Sequence, residues 1–370
     1  MTHRWIEGSI DFLERAYDPE SGLFSYSSSL TGGRFTNDFE HPAVVRYSVN
    51  SLLGLQEARR HEHGGKAVGR FDEMLDRFLD KQWSAVEDWG DRGLLLYVLV
   101  REQRTDRSME LLPRITTFVN DSKAEGLDLQ SVSWLLWGVS AAASAGLDGA
   151  ETLAHKLFRI LHSRYLHRDS LLARHSAQGY RKNLVSFGGT AYYLRALHEY
   201  GSFANNEYAL TVFDWVVRRV MGLQGPLGEW PWMFKVSAAA IVDPYPVFSV
   251  HQDSMAMLFL LPALDRGVDG VAESISRSCK WVEGNNELST NLVTDEPFFI
   301  SRSIQRVERA PRARRYIRSL GKTRDSWARA PRKSLEVNPE SRSYHLAWIL
   351  FVWSGREDVL TSALQETGSE

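Results

Sequence analysis

Two acids in a tryptophan-rich stretch, Glu229 and Asp253, are the residues of this chain best suited to moving protons. Acid/base chemistry at a sugar carbon needs two carboxyls in unlike surroundings, one apolar enough to hold a proton and one solvated and ionised. Glu229 lies beside Trp230 and Trp232 and suits the proton donor. Asp253 lies beside His251 and suits the base or nucleophile, with Asp38 a substitute for either. His251 could shuttle the proton. Trp230, Trp232, Phe234, Tyr245 and Phe248 offer flat faces to a sugar's C–H side or to a carbocation. Each has a structural alternative: an exposed loop acid, a salt bridge from Asp253 to Arg46 or Arg342, a hydrogen-bonded core histidine, a core Phe248.

These residues sit on or just after a Gly- and Pro-punctuated loop, 222–248, that feeds an apolar helix. Loops of that length inside a compact domain are uncommon and are usually functional when ordered. Around it the 3.6-residue periodicity marks twelve helical segments: 3–17, 42–62, 67–83, 89–103, 107–119, 129–145, 149–167, 187–200, 205–221, 249–265, 269–283 and 343–354. Strand signals are almost missing, with short extended pieces at most near 23–28, 233–242 and 291–300. The even segments are apolar or rich in small residues (GLLLYVLV, SVSWLLWGVSAAASAG, YHLAWILFVW), and the odd ones carry a polar stripe. Helices apolar on most faces are buried, and striped ones lie outside. Six outer–inner hairpins predict an all-α chain, an (α/α)6 toroid forming one domain over 1–370, with loop 222–248 over the cavity mouth. An irregular helical solenoid is the competing architecture.

If the inner helices are parallel, their starts share one rim, and polar residues recur there. Asn37, Asp38, Glu40 and His41 precede the second segment, with Arg46 and Tyr47 one turn in. Trp83, Asp88, Trp89 and Asp91 open the fourth, Asp128 and Gln130 the sixth. Tyr180, Arg181 and Asn183 precede the eighth, Tyr245, His251, Gln252 and Asp253 lead the tenth, and Arg342, Tyr344 and His345 begin the twelfth. Helix capping explains Asp128 and one of Asp88 or Asp91. It does not explain Arg46, His251-Gln252-Asp253 or His345 inside apolar runs, because a buried charge needs a partner or water. A wet cavity at the focus of six helix dipoles would supply it.

Charge is nearly balanced, 44 Lys and Arg against 46 Asp and Glu, so no general polyelectrolyte role follows. A basic insertion, 302–333, holds twelve Arg and Lys against Glu308 and Asp325. It reads as a solvated outer loop or as an anion clamp, since Arg forks suit phosphate and carboxylate. Nucleic acid is a poor fit without a binding fold. Asn285, Asn286, Glu287, Asp295 and Glu296 form a polar loop expected at the same rim. The single cysteine, Cys279, and the absence of a signal-peptide pattern predict a cytoplasmic protein. No apolar run reaches the ~20 residues of a membrane span. No zinc spacing, HExxH or phosphate loop occurs, so no metal and no cofactor is expected.

The helical pattern resembles the (α/α)6 superfold shared by six-hairpin glycosidases, sugar epimerases and the terpenoid cyclase and protein prenyltransferase group. Gln224-Gly225-Pro226-Leu227-Gly228-Glu229-Trp230 matches the Q-x-x-x-G-x-W motif of squalene-cyclase repeats, here present once. The acid motifs of the terpene enzymes and the prenyltransferase zinc ligand Asp-x-Cys are missing. The chain also looks like bacterial toroid proteins associated with polysaccharide genes. The resemblance implies an enzyme of sugar or glycan chemistry, in polysaccharide biosynthesis, working by hydrolysis, elimination or epimerisation. Its substrate would be a sugar or glycan, anionic or lipid- or nucleotide-linked forms included. Glu229 would be the acid and Asp253 the base. His251, Arg46, Tyr47, Arg342, Tyr344, His345, Gln252, Trp89, Trp230, Trp232, Tyr245, Asn286 and Glu287 would position the substrate. An isoprenoid cyclase of the same superfold and a non-catalytic glycan-binding toroid remain open, and oligomeric state is not readable.

Overall fold

The structure, a computed structural model, describes residues 3–307 and 331–365. Thirteen long helices occur among them. They are α1 (Arg4–Ala16), α2 (Val44–Arg60), α3 (Phe71–Gln82), α4 (Trp89–Arg101), α5 (Thr105–Asn120), α6 (Leu129–Ser144) and α7 (Ala150–Tyr165). They continue with α8 (Phe187–Phe203), α9 (Glu207–Met221), α10 (Met257–Asp265), α11 (Val271–Val282), α12 (Ser343–Trp353) and α13 (Glu357–Gln365). The twelve segments read from periodicity are all present. The final helix, α13, was not foreseen; it is short and caps the outside of α11.

The six even helices form the inner ring. Each touches the next, from α2 through α4, α6 and α8 to α10, and α12 closes the circle against α2. They are apolar nearly all round, as buried helices must be. The outer helices α3, α5, α7, α9 and α11 each pack on the inner helix that precedes them in sequence, and α1 packs on α12. Within the toroid of outer and inner helices, each of these inner helices thus packs, among the outer ones, most closely on the helix that follows it. Loop length gives the reason. Tight turns at 102–104, 145–149, 204–206, 266–270 and 354–356 join inner to outer helices at one end of the ring. At the other end run the long connections 17–43, 166–186, 222–250 and 283–342.

Backbone contact sets the ring's diameter. A Cβ on Gly138 of α6 would lie 1.9 Å from the Gly93 carbonyl oxygen of α4, and one on Gly54 would lie 2.3 Å from that of Ala347 in α12. Neither carbonyl can rotate away. Gly138→Ala should therefore cost about 3 kcal/mol, the upper end for overpacking a dense core. Guanidinium unfolding checks this, and a variant as stable as the parent would show that the two helices do not meet here.

The ring is filled through its lower half. Trp137 stacks on Trp348 at 5.9 Å and meets Phe351 at 5.3 Å and Tyr97 at 5.4 Å. The Arg195 guanidinium lies 5.2 Å over Trp137 and 5.4 Å over Phe351. This aromatic plug corrects the expectation of an open central hollow: packed rings fill the centre of the ring at that level.

Strands are more numerous than the sequence suggested, because they pair loops far apart in the chain. Leu184–Ser186 pairs with Met233–Lys235, and that with Ala240–Asp243. Val247–Phe248 pairs with Ser303–Arg306, which pairs with Leu335–Asn338. Glu340–Ser341 pairs with Ser27–Thr31, and that with Arg34–Asp38. Loops 166–186, 222–250, 283–342 and 17–43 are thus stitched into one belt. Loop 222–248 is not structureless. Of the basic insertion 302–333, residues 308–330 lie outside the described residues. No described helix is long and apolar enough to cross a membrane.

Candidate functional site

The first turns of the inner helices meet side by side, which places their polar residues on one rim. Arg46 of α2 pairs with Asp91 of α4 at 2.6 Å and with Asp88 at 3.1 Å, and lies 5.4 Å over the Trp134 ring of α6. Trp134 meets Tyr192 of α8 edge-on at 4.8 Å, and Tyr192 lies 5.8 Å from Trp348 in the plug. Tyr47 lies 4.4 Å from Tyr344 of α12, and Tyr26 stacks on His41 at 3.6 Å and lies 5.0 Å from Tyr47. Arg46, Tyr47 and Tyr344 are partly exposed, while Trp134 and Tyr192 are buried beneath them. The result is a polar wall over an aromatic floor.

Two aspartates open α4, and they divide the work. Asp88 is the cap, its Oδ1 accepting the Gly90 and Asp91 backbone N–H groups. Asp91, one turn in, is left with its side chain 8% exposed against 40% for Asp88. Burial raises the Asp91 pKa, Arg46 opposes, and Asp88 and Asp128 add to the rise, leaving it at about 6. Asp128 caps α6 through the Ser131 N–H, as expected. Sequence reasoning left Asp88 and Asp91 interchangeable. The usable signal was the spacing itself: the residue just before the helix accepts the N–H groups two and three places on, and here that residue is Asp88.

Asp253 and His345 join, but away from solvent. Asp253 has no exposed surface, and its two carboxylate oxygens lie 2.8 and 2.7 Å from His345 Nε2, with the Ser254 hydroxyl donating at 2.9 Å. The partner is neither Arg46 nor Arg342, the two foreseen; Arg46 is engaged by Asp91 and Asp88, and Arg342 by Glu340. Asp253 stands in a π-helical turn, His251–Met255, just ahead of α10. The pair ties that turn to α12. His251 is buried between Phe187 and Phe248, and its Nδ1 has no partner. Burial, with help from His345, pushes its pKa down to about 3, so it stays a neutral imidazole.

Glu229 is also fully enclosed. Its Oε2 accepts the Leu227 N–H at 2.6 Å, inside its own turn. The surrounding motif is a clamp on α11. Gln224 Nε2 donates to the Gly228 and Ser274 carbonyls, and Trp230 Nε1 donates to Ser278 Oγ at 2.6 Å. Gly228, at φ +95°, passes so close to the Arg277 carbonyl that a Cβ would lie 2.3 Å from it. Gln252 completes the clamp, accepting the Trp230 N–H and donating to the Phe248 carbonyl. Trp230 is thus buried against Phe187 and Phe259 and turns no face to the mouth.

Other expected residues are dispersed. Tyr245 is buried under the Arg306 guanidinium and bonds Glu287, which also accepts Trp281 Nε1–H. Asn286 is buried and holds its own loop through the Trp281 and Thr290 carbonyls. Trp89 stacks on Phe118 of the outer helix α5 at 3.9 Å. Asp38 is exposed and accepts the Glu40 N–H. Trp232 is half-buried beside Phe248, and Phe248 carries the Arg302 guanidinium 5.4 Å above its ring. Arg342 lies 3.8 Å over Tyr26. The rim therefore gathers Arg46, Tyr47, Tyr344 and Arg342 as foreseen, and adds Asp91, Tyr26 and Arg302. No group of His, Cys, Asp and Glu among the described residues has the makings of a metal site.

No family model and no curated protein matches the chain. Solved structures do resemble it. A sugar epimerase from a ruminal bacterium aligns with TM-score 0.62 at 11% identity, over 94% of this chain and 96% of that one. An inactive variant of the α-1,6-mannanase GH76A of Salegentibacter sp. HEL1_6, in complex with α-1,6-mannotetrose, aligns with TM-score 0.60 at 9% identity, over 96% and 98%. The cellobiose 2-epimerase of Bacillus thermoamylovorans B4167 aligns with TM-score 0.60 at 9% identity, over 95% and 98%. At such identities the likeness is one of fold, and together with the closed inner ring it makes this chain an (α/α)6 toroid.

Proposed function

We propose that the chain is a carbohydrate-active enzyme whose acid/base chemistry runs at the mouth of the ring, with Asp91 as the carboxyl that moves the proton. The observation that carries this reading is Asp91 itself, pushed up to about 6 beside Arg46 at the open end of the inner helices. A group with that pKa exists in both protonation states near neutrality, which is what a general acid or base requires. Asp88, more exposed and on the same guanidinium, is the second carboxylate in an unlike environment. Arg46 holds the two acids in place. Tyr47 and Tyr344, the partly exposed rings of the rim, supply the faces on which a sugar's C–H side packs.

In this reading Asp253 orients His345, and Glu229 fixes the loop; neither meets the substrate. Hydrolysis, elimination and epimerisation all use the same proton-moving pair. The fold neighbours with sugar-acting names support the substrate class. A thermal-shift panel of neutral sugars, uronic acids, sugar phosphates and manno-oligosaccharides tests it. A ligand at about 100 times its Kd adds ~2.7 kcal/mol, a rise of several degrees. At least one sugar should produce that rise in the parent and lose it in Arg46→Gln. No shift across the panel would overturn the reading.

A further inference from the structure

The rim holds a corner whose charges do not cancel. Arg302 and Arg342 both engage Glu340, at 2.8 and 2.7 Å, so two guanidiniums share one carboxylate. The other nearby acid, Asp253, is committed to His345, and Arg46 has its own aspartates. Among the described residues one positive charge is left over. The same corner is rich in unused donors. The Nε–H groups of Arg302 and Arg342 have no partner among the described residues, and the Tyr47 and Tyr344 side chains, their rings 4.4 Å apart, stand beside them. Both guanidiniums lie over rings, Arg342 over Tyr26 at 3.8 Å and Arg302 over Phe248 at 5.4 Å. Arg342 is only 4% exposed. An excess cation that deep is costly without an anion, and a stacked guanidinium keeps its edge free for a flat oxyanion.

We propose that this corner, Arg302 and Arg342 with the Tyr47 and Tyr344 hydroxyls, selects a sugar bearing one oxyanion group, a carboxylate or a phosphate. The inference rests on the sugar-site reading above and adds the charge of the substrate. It also gives Arg302, the first residue of the basic insertion, a role at the mouth and not on the outer surface.

Calorimetric titration with glucose, glucuronate and glucose 6-phosphate, with acetate and inorganic phosphate as bare anions, tests it. Glucuronate or glucose 6-phosphate should bind at least tenfold tighter than glucose, and the tighter of the two names the oxyanion. Raising salt should weaken the anionic sugar alone. Arg302→Gln should bring the anionic and neutral sugars within about twofold. Glu340→Gln, which removes the internal counter-ion, should tighten the anionic sugar and leave glucose unchanged; a purely structural Glu340 would weaken both. Should Arg302→Gln fail to fold, Glu340→Gln decides alone. Glucose binding as tightly as either anion overturns this inference and spares the sugar site. If acetate or inorganic phosphate binds but no sugar does, or nothing binds, this inference falls, and the sugar-site reading falls with it when the wider thermal-shift panel is silent too.

Discussion

Asp253→Asn should lower stability by about 3–5 kcal/mol, the range for removing one member of a buried charged pair. The carboxylate has no contact with solvent and spends both oxygens on His345 Nε2 and one also on the Ser254 hydroxyl. An amide in its place sets an N–H₂ against one of these donors. A buried donor facing a donor loses its hydrogen bond and its hydration together. The site magnifies the loss, because the same residue's carbonyl accepts Trp353 Nε1 at 2.6 Å, so the π-helical turn and α12 are held to each other through Asp253 twice. Here the ring passes from its fifth inner helix to its sixth. Guanidinium unfolding should show the midpoint falling sharply, and His345→Gln should add little in the double variant, since the two side chains act as a unit. An unchanged midpoint would sink the structural role. A variant that stayed fully folded yet lost all turnover would instead make Asp253 part of the chemistry.

The inner ring was legible because its signal is composition. Stretches such as GLLLYVLV and YHLAWILFVW have no polar stripe, and a helix without one has to be surrounded. Rim position followed from the same fact: residues at the starts of parallel helices share an end, so Arg46, Tyr47 and Tyr344 were predicted together and lie together. Side-chain direction in the loops was not legible. Glu229 was assigned to an apolar, proton-holding site from its neighbours Trp230 and Trp232, yet a turn closed by Gly225 and Gly228 folds its carboxylate back onto the Leu227 N–H. No periodicity governs such a turn, so adjacency in sequence carried no information about facing. The belt of strands was hidden for a related reason. Its partners, such as Ser303–Arg306 and Leu335–Asn338, are brought together only by the closed ring. The plug was missed because Trp137, Trp348 and Phe351 look in sequence like any buried rings, and only closure turns them toward one axis.

Asp91→Asn should reduce turnover on the sugar substrate by 10²–10⁴-fold, the usual contribution of a positioned acid or base. It should also abolish a limb of the pH–rate profile with a midpoint near 6. The limb descends with pH if Asp91 gives its proton and ascends if Asp91 takes one. The groups that act on it are Arg46, Asp88 and Asp128, and burial outweighs the pull of Arg46. The same pKa fixes the sign of a stability effect. A carboxyl raised from 3.8 to about 6 on folding holds its proton more tightly in the folded state. Its stabilising contribution is therefore full below about pH 4, declines as pH rises toward 6 and is gone above it. Two pKa units correspond to roughly 3 kcal/mol. Unfolding free energies of the parent, minus those of the Asn variant, should accordingly fall by up to that amount between pH 4 and 7. The ion pair with Arg46 forms only as Asp91 ionises, and its pull is already contained in the value of about 6, so it adds no slope of its own. A flat difference would mean that Asp91 titrates as an ordinary exposed aspartate, and the mouth would then lack the group on which the proposed chemistry depends.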